Sequence, residues 1–244
     1  MCLFCDNPAN SREHVWPDWM LQTMKDRRPL RQTLGAGPAV HYTGDFKIRC
    51  VCRVCNNGWM SELEASIKPL LALLAGDVSV EMNAEQQLRL TIWAAKTAMV
   101  IEATKPQKAV RFYQPEVRKA FKSGFSIPYN TRMWMGRYNG SGLFAAAAEI
   151  QYNLARISSS GFGSVTTMIV GHLVLQVLSL NFPAETQDHV VEIPQRIGDW
   201  DQTLFPLWPF ERSHLWPPAL SFGNDPDRYP LRGLHDRWRV EAIA

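Results

Sequence analysis

Two C-x-x-C pairs constrain the fold of this chain more than any other feature of its sequence. Cys2 and Cys5 form the first pair, and Cys52 and Cys55 form the second. Two such pairs supply four thiolates, which is enough to close a tetrahedral structural zinc site. We therefore predict one structural Zn²⁺ bound by these four cysteines, with an inserted segment between the two pairs.

Other uses of the cysteines stay open at this point. Buried reduced thiols are one alternative, and a redox dithiol is another, although no thioredoxin-like βαβ setting surrounds the pairs. An odd number of closely spaced cysteines is a poor disulfide framework. The fifth cysteine, Cys50, shares one face of a predicted strand with Phe46 and Ile48, so we predict that it is a small core residue.

The composition indicates a globular protein. Hydrophobic residues make up 46% and charged residues 20% of the 244 residues, which excludes a mainly disordered chain and a fibrous one. No secretory signal pattern opens the chain, and the apolar stretch at 164–180 is short for a spanning helix. We therefore expect a soluble cytoplasmic protein in a reducing compartment, without membrane contacts.

The basic surplus of the chain lies with the cysteines. Residues 1–60 hold eight Lys or Arg and five Asp or Glu, a difference that equals the formal net charge of +3 of the whole chain. This local excess favours the attraction of phosphate groups, and a chance excess of three charges is the alternative.

The middle of the sequence has the pattern of two helices. Apolar spacing predicts one helix after Ser61 that stops at Gly76. A second helix is predicted to start near Asn83 and to end before Pro106. Lys96 lies inside the apolar region of the second helix, and we expect its side chain to reach over the helix edge to water.

The last part of the sequence has the pattern of strands. Residues 131–138 alternate with period two, and the Asn-Gly pair at 139–140 predicts a hairpin turn. Further strands are predicted over 143–154 and 164–180. In the proline-rich segment 183–230, we interpret three tryptophans as packing anchors: Trp200, Trp208 and Trp216.

An acid and a histidine stand side by side in the insert, and two asparagines follow the last cysteine. Glu13 and His14 lie on a predicted strand, whereas Asn56 and Asn57 begin a predicted helix. Adjacent strand residues point to opposite faces, so Glu13 and His14 have different roles. One is suited to hold a divalent metal, while the other faces solvent and removes a proton from water.

These motifs, in their order, resemble the zinc-knuckle branch of the HNH (His-Me finger) endonucleases. The order is C-x-x-C, an acid–His pair with a following proline, and then C-x-x-C-Asn. The resemblance implies a ββα unit that binds a catalytic Mg²⁺ or Mn²⁺ and hydrolyses phosphodiester bonds. It also implies that His14 is the general base and that Glu13 and Asn56 are metal ligands, with Asn57 as the alternate to Asn56.

The sequence departs from the family pattern at one position. The middle asparagine of the pattern lies nine residues before the helix asparagine, and this place is taken by Lys47. In the family, that asparagine orients the catalytic histidine. His41 lies in the same predicted hairpin and is a candidate substitute, and an ordinary loop histidine is the alternative.

The resemblance completes the predicted fold class, which is α+β. Residues 1–65 form a zinc-stapled HNH-like ββα module, residues 66–127 a helical segment, and residues 128–244 a β-rich C-terminal region. In the insert, three arginines are candidates for contacts with phosphates beside the cut, with a solvated basic loop as the alternative: Arg27, Arg28 and Arg31.

The expected function is that of a metal-dependent endonuclease that cuts nucleic acid, DNA before RNA, because most of the resembled family cuts DNA. Three alternatives stay open. In the first, the module is catalytically weakened and binds nucleic acid or a protein. In the second, the nuclease is directed at RNA. In the third alternative, a protein partner binds through the C-terminal region.

Overall fold

The structure is a computed structural model that describes residues 1–23, 47–104, 111–128, 130–154, 159–181 and 203–222. Within these ranges the helices are α1 (Asp18–Thr23), α2 (Arg53–Cys55), α3 (Ser61–Ala75), α4 (Ala84–Ala103) and α5 (Pro115–Gly124). The strands are β1 (Ser11–His14), β2 (Lys47–Val51), β3 (Val80–Met82), β4 (Thr131–Leu154), β5 (Ser159–Asn181), β6 (Leu204–Trp208), β7 (His214–Trp216) and β8 (Ser221–Phe222). This mixture of helices and mainly antiparallel strands confirms the α+β class.

The N-terminal part of the chain runs from β1 through α1 to β2 and then into α2. β1 pairs antiparallel with β2, in a register that sets Glu13 opposite Ile48 and His14 opposite Lys47. From β2 the chain passes through α2 and a π-helical turn, Asn56–Met60, into α3. The two strands and the following helix therefore position the acid–His pair and the asparagines within one local unit.

The two helices of the middle segment follow the local sequence signals. α3 ends at Ala75, directly before Gly76, as predicted. α4 begins after Asn83, whose side chain accepts a hydrogen bond from the Gln86 backbone N–H at 2.9 Å. The Gln86 side chain in turn accepts from the Asn83 N–H at 3.0 Å, which completes a capping box. Short-range polar contacts therefore set the start of α4.

β4 and β5 form a long antiparallel pair, and the hairpin turn predicted at 139–140 is wrong. β4 runs through these residues without turning, because Arg137 pairs with Leu173 and Gly142 pairs with Gly171. The four residues 138–141 thus stand opposite the single residue His172, as a bulge. An Asn-Gly pair suits the irregular backbone of a bulge as well as that of a turn, so this pair does not by itself predict a hairpin.

The C-terminal residues complete the sheets. β6 pairs with β4, β8 pairs in parallel with β4, and β7 pairs with β3. Trp216 is fully buried and Trp208 packs on the core, which confirms both as packing anchors. Trp200 lies outside the described residues.

A continuous core joins all three predicted segments. It contains Phe4 and Trp16 from the N-terminal part, Trp93 from α4 and Met168 from β5. α4 is the central element, since it contacts α3, β4, β5 and β6. In the described ranges, no helix combines the length and the apolar character needed to cross a membrane.

Candidate metal centre and histidine site

The four predicted zinc ligands lie together. The sulfur atoms of Cys2, Cys5, Cys52 and Cys55 are all within 4.8 Å of one another. Cys5 Sγ lies 3.6 Å from Cys52 Sγ and 3.7 Å from Cys55 Sγ. Tetrahedral coordination with Zn–S bonds of about 2.3 Å sets sulfurs about 3.8 Å apart, so the observed spacing is compatible with structural zinc. These four cysteines are therefore positioned to hold a metal ion.

Hydrogen bonds to sulfur shape the cluster. The Phe4 N–H donates to Cys2 Sγ at 3.5 Å, and the Cys55 N–H donates to Cys52 Sγ at 3.4 Å. Burial alone would raise the pKa of Cys52. The hydrogen bonds from the Cys55 N–H, from neighbouring thiols and from the Asn7 amide outweigh this effect and lower the pKa to about 6. The thiolate is the form that binds a metal, so these bonds favour the binding form at Cys52, whereas burial raises the pKa of Cys2 and of Cys55.

Cys50 lies outside this cluster, which agrees with its predicted role. It is buried and belongs to the apolar core. Burial, with a smaller contribution from the Glu13 charge, raises the pKa of its thiol to about 12. Cys50 therefore stays protonated and acts as a small core residue.

Glu13 and His14 point to opposite faces of β1, as expected for neighbours on a strand. Glu13 is 4% exposed, whereas the His14 side chain is 25% exposed. His14 Nε2 lies 3.0 Å from Oδ1 of Asp18, in the first turn of α1. The sequence interpretation missed Asp18, although an acid four residues after the histidine, at the start of a helix, was a readable signal.

Glu13 belongs to a buried cluster of charges. Lys96 Nζ donates to Oε1 of Glu13 at 3.1 Å and to Oε1 of Glu64 at 2.9 Å. Lys96 is 1% exposed, so the prediction that it reaches water is wrong. The physical reason is that two carboxylates, from β1 and α3, provide partners for the ammonium group inside the core.

The pKa shifts follow from this arrangement. Burial alone would lower the pKa of Lys96, but the charges of Glu13 and Glu64 outweigh it, so the pKa is raised and the lysine stays charged. Burial raises the pKa of Glu13, and attraction to Lys96 offsets part of this shift. The net result is a cation held between two acids, one of which is also buried.

Asn56 ties the start of the helical segment to β1. Its side-chain Nδ2 donates to Oγ of Ser11 at 2.9 Å and to the Arg12 carbonyl oxygen at 3.1 Å. Asn57 is exposed in the π-helical turn. The prediction that these asparagines begin the helix is wrong, because α2 already begins at Arg53, with Cys52 as its N-cap, and the asparagines follow it.

The exposed side of the β1–β2 pair is basic. Three cations are exposed on these two strands: Arg12, Lys47 and Arg49. Lys47 is the residue opposite His14, so a positive charge stands where the resembled family has its orienting asparagine. The other predicted site residues lie outside the described residues: Arg27, Arg28, Arg31 and His41.

Comparisons of the chain with family models, with curated proteins and with solved structures found no match. The resemblance to the HNH endonucleases therefore rests on the motif residues of the sequence.

Proposed function

We propose that this chain hydrolyses phosphodiester bonds in nucleic acid, DNA before RNA, with His14 as the general base. The observation that carries the proposal is the setting of His14. Its partly exposed imidazole lies on β1, whose partner strand β2 leads into the helical segment that contains Asn56. A strand pair followed by a helix with an asparagine in its first turns is what the resemblance implies for an HNH module, although α1 lies between the two strands here.

A carboxylate lies close to His14, where it would assist a general base. A histidine that takes a proton from water becomes an imidazolium, and a nearby carboxylate stabilises this charged form and fixes the ring. Asp18 supplies such a carboxylate at 3.0 Å. Asp18 is therefore proposed as a positioning residue, which acts through His14.

The exposed cations of the hairpin suit a phosphate substrate. Arg12, Lys47 and Arg49 surround the exposed side of the strand pair and carry charges of one sign. Such a surface attracts the nucleic-acid backbone and stabilises negative charge at the reacting phosphate. Arg27, Arg28 and Arg31 stay candidates for the same role.

The divalent ion that the resemblance implies would neutralise charge at the scissile phosphate when bound. Asn56 and Asn57 offer amide oxygens, which Mg²⁺ and Mn²⁺ accept as ligands. Glu13 does not fit as a ligand, because its side chain faces inward and already meets the ammonium group of Lys96. A second cation beside that group would be repelled, so no catalytic step is assigned to Glu13.

Two observations favour a second candidate, a module that binds nucleic acid without cutting it. Lys96 takes the place of a metal ion at Glu13, and Lys47 stands where the family has its orienting asparagine. Either change would weaken catalysis while leaving the basic surface intact.

A cleavage assay tests the proposal. The full chain is incubated with plasmid, single-stranded DNA and total RNA, in Mg²⁺, in Mn²⁺ and without added divalent ion. We expect cleavage that falls by at least about 100-fold in His14→Ala and less in Asp18→Asn. His172→Gln, a histidine on β5, is the matched control and should cut normally.

The outcomes separate the candidates. Cleavage that is equal in the wild type and in His14→Ala contradicts the role of His14. Tight binding of nucleic acid with no cleavage under any condition supports the second candidate instead. The preferred substrate among the three decides between DNA and RNA.

A further inference from the structure

A cleft of about 500 Å³ opens between the N-terminal residues, β2 and the C-terminal end of α4. Its wall contains three arginines: Arg49 of β2, Arg111, and Arg118 of α5. Cys2 and Cys50 also line the cleft, whereas His14 is not among its described lining residues. The cleft is therefore separate from the proposed catalytic histidine, although β2 contributes to both.

The three arginines place three positive charges in the wall of the cleft. In the described ranges, none of their guanidinium groups forms an ion pair within 4.0 Å. Glu102 attracts Arg118 electrostatically, but its two oxygens accept the N–H groups of Phe112 at 2.6 Å and Tyr113 at 3.1 Å. Among the described residues, no carboxylate is bound between these like charges, although Glu102 and Glu116 both act on Arg118 from nearby.

Like-charge crowding is visible at Arg118. Burial lowers the pKa of its guanidinium, and the charge of Arg111 lowers it further. The charges of Glu102 and Glu116 act in the opposite direction, so the lowered pKa reflects burial first and the nearby Arg111 charge second.

Two of the guanidinium groups are held in place by backbone carbonyls. Arg118 Nε donates to the Leu3 oxygen at 2.9 Å, and its Nη1 donates to the Tyr113 oxygen at 2.5 Å. Arg111 Nη2 donates to the Ala103 oxygen at 3.4 Å. A guanidinium has five N–H donors, so these bonds fix the orientation and leave donors for a ligand.

We propose that this cleft binds a phosphoryl group through Arg49, Arg111 and Arg118. Three positive charges match a phosphate dianion or successive backbone phosphates, and the planar guanidinium suits the paired oxygens of phosphate. The same chemistry has two sources, the backbone of a nucleic acid and a small phosphorylated ligand. The site does not depend on cleavage by His14 and so goes beyond the proposed function, although Arg49 belongs both to the cleft and to the basic surface of that proposal.

Calorimetric titration of the full chain tests the site with three probes. The probes are inorganic phosphate, a deoxynucleoside 5′-monophosphate and a short DNA duplex, the last in a His14→Ala background. We expect Arg49→Ala and Arg111→Ala each to weaken binding about tenfold. For the duplex, each substitution should also reduce the slope of log affinity against log salt by about one.

The control is Arg89→Ala, because Arg89 is exposed on α4 and paired with Glu85, near the opposite end of that helix. It should bind like the wild type. Arg118 is left unchanged, since its bonds to Leu3 and Tyr113 also hold α5 in place. Arg49 is exposed, so its substitution tests binding without loss of the fold.

The binding results distinguish a small phosphorylated ligand from the nucleic-acid backbone. Loss of mononucleotide or phosphate binding in the arginine variants supports a small ligand, and loss confined to the duplex supports the nucleic-acid backbone. The proposal is overturned if no probe binds the wild type, or if Arg49→Ala and Arg111→Ala bind like Arg89→Ala. If these variants lose binding while no chain cuts nucleic acid, the hydrolysis proposal fails and the anion site stands.

Discussion

Among single residues, Lys96 is notable because it carries a positive charge in the protein interior. Its ammonium group lies between Glu13 and Glu64 and links α4 to β1 and α3. Removing one member of a buried ion pair leaves the other charge unpaired inside the protein, which costs far more than losing an exposed pair. The cluster is therefore proposed to fix β1, and with it the direction of His14.

Substitution of Lys96 tests this role. We expect Lys96→Met to lower the free energy of unfolding by about 3–5 kcal/mol at neutral pH, measured by urea denaturation. Lys119→Met is the matched control, because Lys119 forms an exposed pair with Asp6 at 2.6 Å and its loss should change the free energy of unfolding far less. The double variant Lys96→Met/Glu13→Leu should recover part of the loss.

The pH dependence of that loss has a definite sign. The pKa of Glu13 is raised above its ordinary value of 4.5, and it rises further when Lys96 is removed. A folded-state pKa that is raised favours the protonated acid, so the stability of Lys96→Met falls as pH rises through the range above 4.5. A destabilisation that does not shrink towards acidic pH would contradict the assignment.

At the scale of elements, the bulge of β4 and the end of α3 fit against each other. Gly171 has a φ of +60°, and a Cβ at this position would lie 2.2 Å from the Ala75 carbonyl oxygen. Arg137, which borders the bulge, forms an ion pair with Asp77, just beyond α3. The close approach of helix and sheet therefore requires a residue without a side chain at Gly171.

We expect Gly171→Ala to lower the free energy of unfolding by at least about 2 kcal/mol, because it adds both backbone strain and a clash with α3. Gly142→Ala is the matched control within the same irregular region. A Cβ at Gly142 meets nothing within 4 Å, so the expected change is below about 1 kcal/mol. Equal effects of the two substitutions in chemical denaturation would show that the approach of α3 is not the cause.

At the scale of the whole molecule, the cysteine cluster belongs to the same core as the rest of the chain. Phe4 packs against Phe121 of α5 with ring centroids 6.4 Å apart, and Leu3 accepts a hydrogen bond from Arg118. Lys96 joins the N-terminal strand to α4. We therefore expect metal binding and folding of the whole described core to be coupled.

This coupling predicts about one zinc per chain and a single unfolding transition. Zinc release, followed with a chromogenic chelator, should coincide with the change in tryptophan fluorescence on heating. Cys52→Ser should lose the metal and unfold at lower temperature, whereas Cys50→Ala should keep its zinc. Release of zinc in a separate early transition would mean that the cluster folds as an independent unit.

Features that depend on neighbouring residues, or on residue types with few possible roles, were predictable from the sequence. The start of α4 was readable because its capping box needs only Asn83 and Gln86. The thiol cluster was readable across residues 5 to 52, because paired C-x-x-C spacing has few other uses. The opposite faces of Glu13 and His14 follow from strand geometry alone.

Contacts between residues that are distant in the sequence became known from the three-dimensional packing. Lys96 and Glu13 are 83 residues apart, and Arg118 and Leu3 are 115 apart, so no local pattern connects them. The same holds for the bulge at 138–141, whose Asn-Gly pair is compatible with a turn until the register with β5 is known. Local propensities are set by a few neighbouring residues, whereas the pairing of buried charges is set by packing. Packing therefore determined which cation Glu13 meets.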